Sequence, residues 1–461
     1  VARTIAWTLL GLATALSAAC GSTVLQPGPW NQIHADRGNT GFNAVHSALA
    51  APQGKTWSAP VGPIAFSSPA VGPDGTVYIG NITGEAVAIN PDGTQRWRHR
   101  LGASIVATPA VHMETGEIFY VVQNPVTPTE YLSFLYRLSP AGTILTVTTE
   151  QNLNTSAAPK IWREYVFLQT GVRYSSGGQT SVARGYIYVF DRTSLQLVAK
   201  AFPGCGHPIC GHGPEWFDVF QDILACIAQL ALPEYCGHTF VGSSQGPKQD
   251  PAVAIVDARN VVDNPDRPTV VSATGFCAAA MRFDPSAAFD QRLRPLWGHK
   301  LVGDCHKPVL CTSPAVIVGG QAVFGYGQGQ LISFDVQTGT ELWKQSLFGT
   351  AQSAPVAYLR QIYVVTELRL TVLDSDGTVL QQVPLQGSGR AAALSLKHVH
   401  VTTNAGLLTF RLDPQQGSSF DGTIADTGGS FTRSTPTLAP NGTLYVSTPS
   451  GFIHAYGPGS P

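Results

Sequence analysis

From residue 52 onward the chain alternates short apolar runs with clusters of Gly, Pro, Asn and Asp. One stretch opens Ser68-Pro69-Ala70-Val71 and continues Thr76-Val77-Tyr78-Ile79-Gly80 and Glu85-Ala86-Val87-Ala88-Ile89-Asn90. After the turn Pro91-Asp92-Gly93 comes Gln95-Arg96-Trp97-Arg98. Short runs rich in β-branched residues, bounded by turn formers, predict strands joined by tight turns. The stretch is a unit of four strands in about 40 residues.

The unit recurs. Its clearest copy opens Ser313-Pro314-Ala315-Val316 and ends Leu331-Ile332-Ser333-Phe334-Asp335, Thr338-Gly339, Glu341-Leu342-Trp343-Lys344. Other openings are Thr108-Pro109-Ala110-Val111, Ala158-Pro159-Lys160, Asp250-Pro251-Ala252-Val253, Ala354-Pro355-Val356 and Thr435-Pro436-Thr437-Leu438. A degenerate one lies near Arg390-Ala391-Ala392-Ala393, which makes eight. A four-stranded repeat of about 40–50 residues is the signature of a propeller blade, which buries its faces only against neighbouring blades. The expected fold is therefore all-β: an eight-bladed β-propeller of four-stranded antiparallel blades. The last unit shows three strands and ends Gly451-Phe452-Ile453-His454-Ala455-Tyr456. The strand around Gly54-Lys55-Thr56-Trp57-Ser58 is expected to complete that blade and close the ring.

Composition agrees with a turn-rich β protein. The 461 residues include 48 Gly and 33 Pro, while only 12 % are charged, against about 25 % in a typical domain. Helical bundles need more Glu, Lys and Arg. Charge-driven disorder needs fewer apolar residues than the 43 % present. The net charge of −1 and the lack of a basic stripe argue against nucleic acid as partner.

The N-terminus carries an address. Arg3 precedes an apolar run from Ile5 to Ala15, followed by Leu16-Ser17-Ala18-Ala19-Cys20-Gly21. A basic start, a short apolar stretch and small residues at a boundary describe a secretory signal. The residues before Cys20 resemble a bacterial lipobox, with Ser17 where an aliphatic residue is usual. That resemblance implies cleavage before Cys20 and lipidation of its thiol and new amino group, which together anchor a protein stably. The expected parts are a lipoprotein signal peptide (1–19), a lipidated tether and leader (20–51), and a propeller (52–461). The leader Trp30…His34-Ala35-Asp36-Arg37-Gly38-Asn39-Thr40-Gly41 is expected to pack across one face, or to form part of a binding surface.

The segment Phe334-Asp335…Thr338-Gly339…Leu342-Trp343 and the Ser-Pro-Ala openings are similar to the repeat of the PQQ-like (quinoprotein-like) propellers, over roughly residues 52–458. That family includes quinoprotein dehydrogenases and BamB-like envelope lipoproteins. The resemblance implies eight blades interlocked by Trp and Gly positions. Trp57, Trp97, Trp297 and Trp343 stand in the Trp places, and the other blades have replaced it. For the enzymes it implies PQQ over the axis, with calcium held by carboxylates. This chain has no adjacent cysteine pair and no Cys-x-x-Cys-His haem motif. Its blade openings are mostly Ser, Thr and Ala, with Asp250 the sole acid and Arg390 a possible base; these two are the channel candidates. One carboxylate is poor support for calcium, which seeks several oxygens. No cofactor is expected; PQQ with calcium is the rival.

The interval between Pro159 and Pro251 holds an insertion, about residues 203–249, with Cys205, His207, Cys210, His212, Cys226, Cys236 and His238. Between the cysteines, Phe217, Phe220, Ile223, Leu224, Ile227 and Leu230 have helical spacing. A disulfide-rich helical insertion is expected. Cys277, Cys305 and Cys311 fall in connections that a propeller places on the same face. Outside the cytoplasm Cys205, Cys210, Cys226, Cys236, Cys305 and Cys311 are disulfide candidates, with Cys277 left over. The accompanying His207, His212, His238, His299 and His306 leave a zinc or copper site as the alternative. Gly242-Ser243-Ser244-Gln245-Gly246 lacks the helix a nucleophile elbow needs. Gly325–Gly329 and Asp374-Ser375-Asp376-Gly377 read as turns, the latter a counterpart of Asn90–Gly93.

The functional expectation is a non-catalytic envelope lipoprotein, a monomeric propeller serving as a protein-interaction scaffold. It would sit on the periplasmic face of the outer membrane where two membranes exist. Its surface candidates are Trp216, Phe217, His207 and His212. The rival is a PQQ- and calcium-dependent dehydrogenase of alcohols or sugars. If the strand near Trp57 closes the ring, deletion of residues 51–62 destabilises the whole domain, visible as a lowered thermal unfolding temperature; unchanged unfolding would refute closure.

Overall fold

A computed structural model describes residues 29–45, 55–125, 131–150, 153, 155, 157–176, 179–201, 252–256, 266–274, 277–301, 313–326, 329–349, 351, 353–413, 417–424, 431 and 434–457. They form eight four-stranded antiparallel sheets. Seven blades are continuous in the chain and begin at the inner strands Ala70–Val71, Ala110–Val111, Lys160–Trp162, Ala254–Val256, Val316–Val318, Val356–Tyr358 and Gly389–Leu394. The eighth has inner strand Thr437–Leu438, then Leu444–Ser447 and Phe452–Tyr456. Its outer strand is Trp57–Pro60, with Trp57 opposite Ala455 and Pro60 opposite Phe452. The expected closure is observed. All eight openings, including the degenerate one at Arg390, are inner strands. The helical part of the insertion lies outside the described residues, among which the one helical element is a 3-10 turn at Phe289–Gln291.

The core is divided among the joints between blades. Blades 8 and 1 share Val61, Val77, Ile79, Tyr445 and Ile453, for example. Blades 4 and 5 share Val256, Ala280, Trp297, Phe324 and Phe334. Strands so placed are covered on both faces, and Val77–Gly80 and His398–Thr403 are buried along their whole lengths. Ring closure is sealed at the inner edge, where the Thr435 amide donates to Ser68 Oγ at 2.9 Å and Thr437 Oγ1 to the Pro69 carbonyl at 2.6 Å.

The tryptophans interlock blades as expected. Each outer-strand Trp lies on a glycine in the next blade's turn between third and fourth strands. The Nε1–H of Trp57, Trp97, Trp297 and Trp343 donates to the carbonyls of Pro91, Pro140, Val336 and Ser375 at 2.8–2.9 Å. The glycines beneath are Gly93, Gly142, Gly339 and Gly377, with φ from +71° to +90°. A Cβ on Gly339 would stand 2.4 Å from Trp297 Cγ. No side chain fits there, and the left-handed backbone disfavours one in any case. Asp374–Gly377 is thus the repeated turn, as read from sequence.

Gly339→Ala is expected to destabilise by about 2 kcal/mol through overpacking and left-handed strain. Trp297→Ala should cost about 3 kcal/mol. Urea unfolding measures both, and a Gly339→Ala variant as stable as the parent would contradict this account of the joint.

Candidate functional site: the axis and its leader

Inner strands pair with a second strand on one edge only, so their other edges face the axis. The leader meets those edges blade by blade in chain order. The amides of Val71 and Val111 donate to the carbonyls of Trp30 and Asn31, and that of Ile161 to Gln32 Oε1. Those of Ile255, Ile317, Ala357 and Leu394 donate to the carbonyls of Arg37, Gly38, Thr40 and Gly41. The Asn43 side chain reaches blade 8, donating to the Leu438 carbonyl at 2.8 Å. The leader therefore runs around the axis at the turn end of the inner strands, packed across that face of the ring as sequence suggested. The polar character of His34–Gly41 was its only sequence signal.

Side chains fix it there. Lys160, fully buried at the opening of blade 3, donates through Nζ to the carbonyls of Ile33 (2.6 Å) and Asp36 (2.7 Å). Asn39 Nδ2 donates to Val253 and Ala315 in blades 4 and 5. Asp36, partly exposed, accepts the Thr40 amide at 3.0 Å and the Thr40 hydroxyl at 2.6 Å. Enclosure raises its carboxyl above the usual range, although Thr40 and Lys160 pull the other way. His34 Nδ1 lies 3.3 Å from Thr435 Oγ1. Burial, aided by the Lys160 charge, lowers the His34 pKa to about 3. Sequence reading overlooked Lys160 and Asn43, because a lone Lys or Asn shows no partner until the fold supplies one.

Of the channel candidates, Arg390 occupies the extra position of a bulge in the blade 7 inner strand, between Gly389 and Ala391, and is half-buried. Asp250 lies outside the described residues. So do Cys20, Cys205, His207, Cys210, His212, Trp216, Phe217, Cys226, Cys236, Cys305 and Cys311. The backbone of Cys277 pairs with Thr274 across the turn between second and third strands and with Lys300 on the outer strand. It therefore sits on the face from which blade-to-blade connections leave. His299 joins blades 4 and 5: its Nε2 lies 2.7 Å from the Gly339 carbonyl and its ring stacks on Phe334 at 4.7 Å.

A calcium ion takes six to eight oxygen ligands, several of them carboxylate. The described leader brings one carboxylate to the axis, Asp36, already committed to Thr40 and facing the Lys160 cation. Among the described residues no group of three or more His, Cys, Asp or Glu side chains converges. The described leader donors do not by themselves make up such a ligand set.

Four of the exposed large apolar side chains stand on the connection face. Phe348, between blades 5 and 6, and Leu368, in the turn between second and third strands of blade 6, are 56 % and 53 % exposed. The Arg369 guanidinium lies 4.5 Å from the Phe348 ring centre. Ile82 and Phe452, also exposed, occupy the same face in blades 1 and 8.

Buried His400, in blade 7, also has a pKa lowered to about 3 by burial, with a smaller push from His398. Between about pH 6.5 and 3 the unfolded chain binds protons that folded His34 and His400 refuse, so stability falls as pH falls through that window. Asp36, with its raised pKa, works the other way: it favours the fold progressively as pH falls through that raised value. The thermal unfolding temperature is expected to be lower at pH 5 than at pH 7, and the difference smaller in His400→Gln. Equal temperatures at both pH values would contradict the assignment of neutral, buried imidazoles.

The fold is shared with solved structures. BamB from Moraxella catarrhalis superposes with a TM-score of 0.51 at 14 % identity, covering 90 % of this chain and 99 % of that one. The quinohemoprotein alcohol dehydrogenase ADHIIG from Pseudomonas putida HK5 gives 0.61 at 11 %, covering 96 % and 82 %. That from Comamonas testosteroni gives 0.59 at 12 %, covering 95 % and 82 %. No curated protein matches by sequence. The profile of the family described as outer membrane protein assembly factor BamB matches residues 42–199 and 287–453, well over half of the chain, and the chain belongs to that family.

Proposed function

We propose that this protein is a non-catalytic lipoprotein of the bacterial envelope, anchored through Cys20, that offers a rigid propeller to an envelope protein partner. One observation carries the reading: the chain's own leader fills the ring at the first-to-second-strand-turn end of the inner strands, hydrogen-bonded to seven of their amides, and brings a single carboxylate, Asp36, with it. The family's description as an outer-membrane assembly factor supports a partner within an envelope complex and a place at the outer membrane where there is one.

The partner docks on the connection face. Aromatic and Arg residues are enriched where binding energy concentrates, and Phe348 with Arg369 offers such a pair. The connection from Ala201 to Ala254 leaves the same face and carries Trp216, Phe217, His207 and His212. Its Cys205, Cys210, Cys226 and Cys236, with Cys305 and Cys311 nearby in sequence order of blades, form disulfides in the oxidising envelope. The second reading, a PQQ- and calcium-dependent dehydrogenase, draws on the quinohemoprotein likeness, which at 11–12 % identity speaks for fold alone.

The test compares the parent with Trp216→Ala/Phe217→Ala and Phe348→Ala/Leu368→Ala. The parent should capture one envelope protein after cross-linking, and the variants should lose it with unchanged unfolding temperature. In parallel, the purified protein is incubated with PQQ and calcium and assayed for dye reduction with alcohols and aldoses. Dye reduction, or capture retained by both variants, would overturn the proposal.

A further inference from the structure

We infer that the axis of the ring is a peptide-binding site filled in cis, and that residues 29–45 form a clasp which seats on a ring already closed and stays there without covalent help. Ring closure turns eight unpaired strand edges inward. At equivalent points of seven of them an N–H needs an acceptor, and an unpaired buried amide is costly. The leader supplies the seven acceptors, six of them main-chain carbonyls. This is recognition of a peptide by strand edges, bent around a circle.

The order of assembly follows from the leader's backbone. His34, Ala35 and Asn39 have φ of 53°, 67° and 58°, a left-handed conformation that side chains disfavour. Such strain persists only where the surroundings impose it. The leader's one strand-like contact is the bridge between Phe42 and Leu394. It cannot hold this shape by itself, so the ring comes first.

Specificity comes from side chains that only this peptide and this ring combine. Asn39 ties blades 4 and 5, Asn43 reaches blade 8, and Lys160 reads the Ile33 and Asp36 carbonyls from blade 3. Gly41 passes so close to blade 6 that a Cβ would stand 2.4 Å from Val356 Cγ1. The peptide class is thus a polar segment with Asn at two positions and Gly at a third, entering and leaving by the face opposite the connections.

The experiment uses the full chain with a protease site placed between residues 46 and 54, cut after folding. On native size exclusion the leader fragment should co-elute with the ring. In Lys160→Met and Asn39→Ala chains, nicked in the same way, it should be released at least about tenfold faster. Hydrogen exchange on the uncut Lys160→Met chain gives an independent readout. The amides of Val71, Val111, Ile255, Ile317, Ala357 and Leu394 should lose protection together, by about tenfold, while outer strands keep theirs. A leader that leaves the nicked parent ring at once would overturn the inference. So would a nicked chain that unfolds, or a loss of protection confined to blade 3.

Discussion

Everything in this molecule depends on the joint between neighbouring blades. A single blade has two apolar faces and no means of covering either, so no blade is stable until both neighbours are in place. The joint is specified at its outer end by an indole laid on a left-handed glycine, with the indole N–H fixed on a nearby carbonyl of the same turn. At its inner end it is specified by Ser and Thr hydroxyls linking successive openings, as Ser68 joins Thr108 and Thr435. Because the joint repeats, an error in one blade's tilt would accumulate around the circle. The outer strand of blade 8, borrowed from Trp57–Pro60, requires the accumulated tilt to return to its start.

The joint between blades 2 and 3 lacks the Trp, and it lacks the glycine as well. In blade 2 the Trp position holds Thr146, opposite Arg137. The facing turn of blade 3 has Leu195 at φ 53° where the four Trp joints have glycine. With no indole pressing on it, a Cβ is tolerated and Leu195 is buried in the joint. The donor that Trp would have supplied comes instead from Arg137, whose Nη1 donates to the Thr193 carbonyl at 2.6 Å. A hydrogen bond across the joint is thus present without either the Trp or the glycine.

That logic explains how much could be read beforehand. Eight units, the strand order within each, and closure by the segment at Trp57 were legible because each is repeated or is the missing member of a repeat. The Trp and Gly places were legible for the same reason. The leader's path was not. Its contacts join Asn43 to Leu438 and Lys160 to Ile33, pairs far apart in sequence, and each occurs once. A residue whose meaning lies in a single distant partner gives no periodic signal. Arg390, named a channel candidate from its place at a blade opening, stands at a bulge, a local irregularity that repeat spacing does not reveal.

The two faces of the ring then acquire different freedoms. Both ends of the described leader, at the Val71 and Leu396 amides, lie on the face of the turns between first and second strands. Changes there must respect seven inner-strand hydrogen bonds. The connection face carries no comparable constraint, since outer strands are fixed by the joints and inner strands by the leader. Lengthening a connection costs only slowly growing loop entropy. The long connection from Ala201 to Ala254 is therefore tolerable where it stands, and would not be at the leader's end. Propellers of this architecture include an assembly factor and alcohol dehydrogenases at 11–14 % identity to this chain. Here the turn end of the ring is given to the polypeptide itself, which leaves the connection face as the one on which length and sequence can change at least cost.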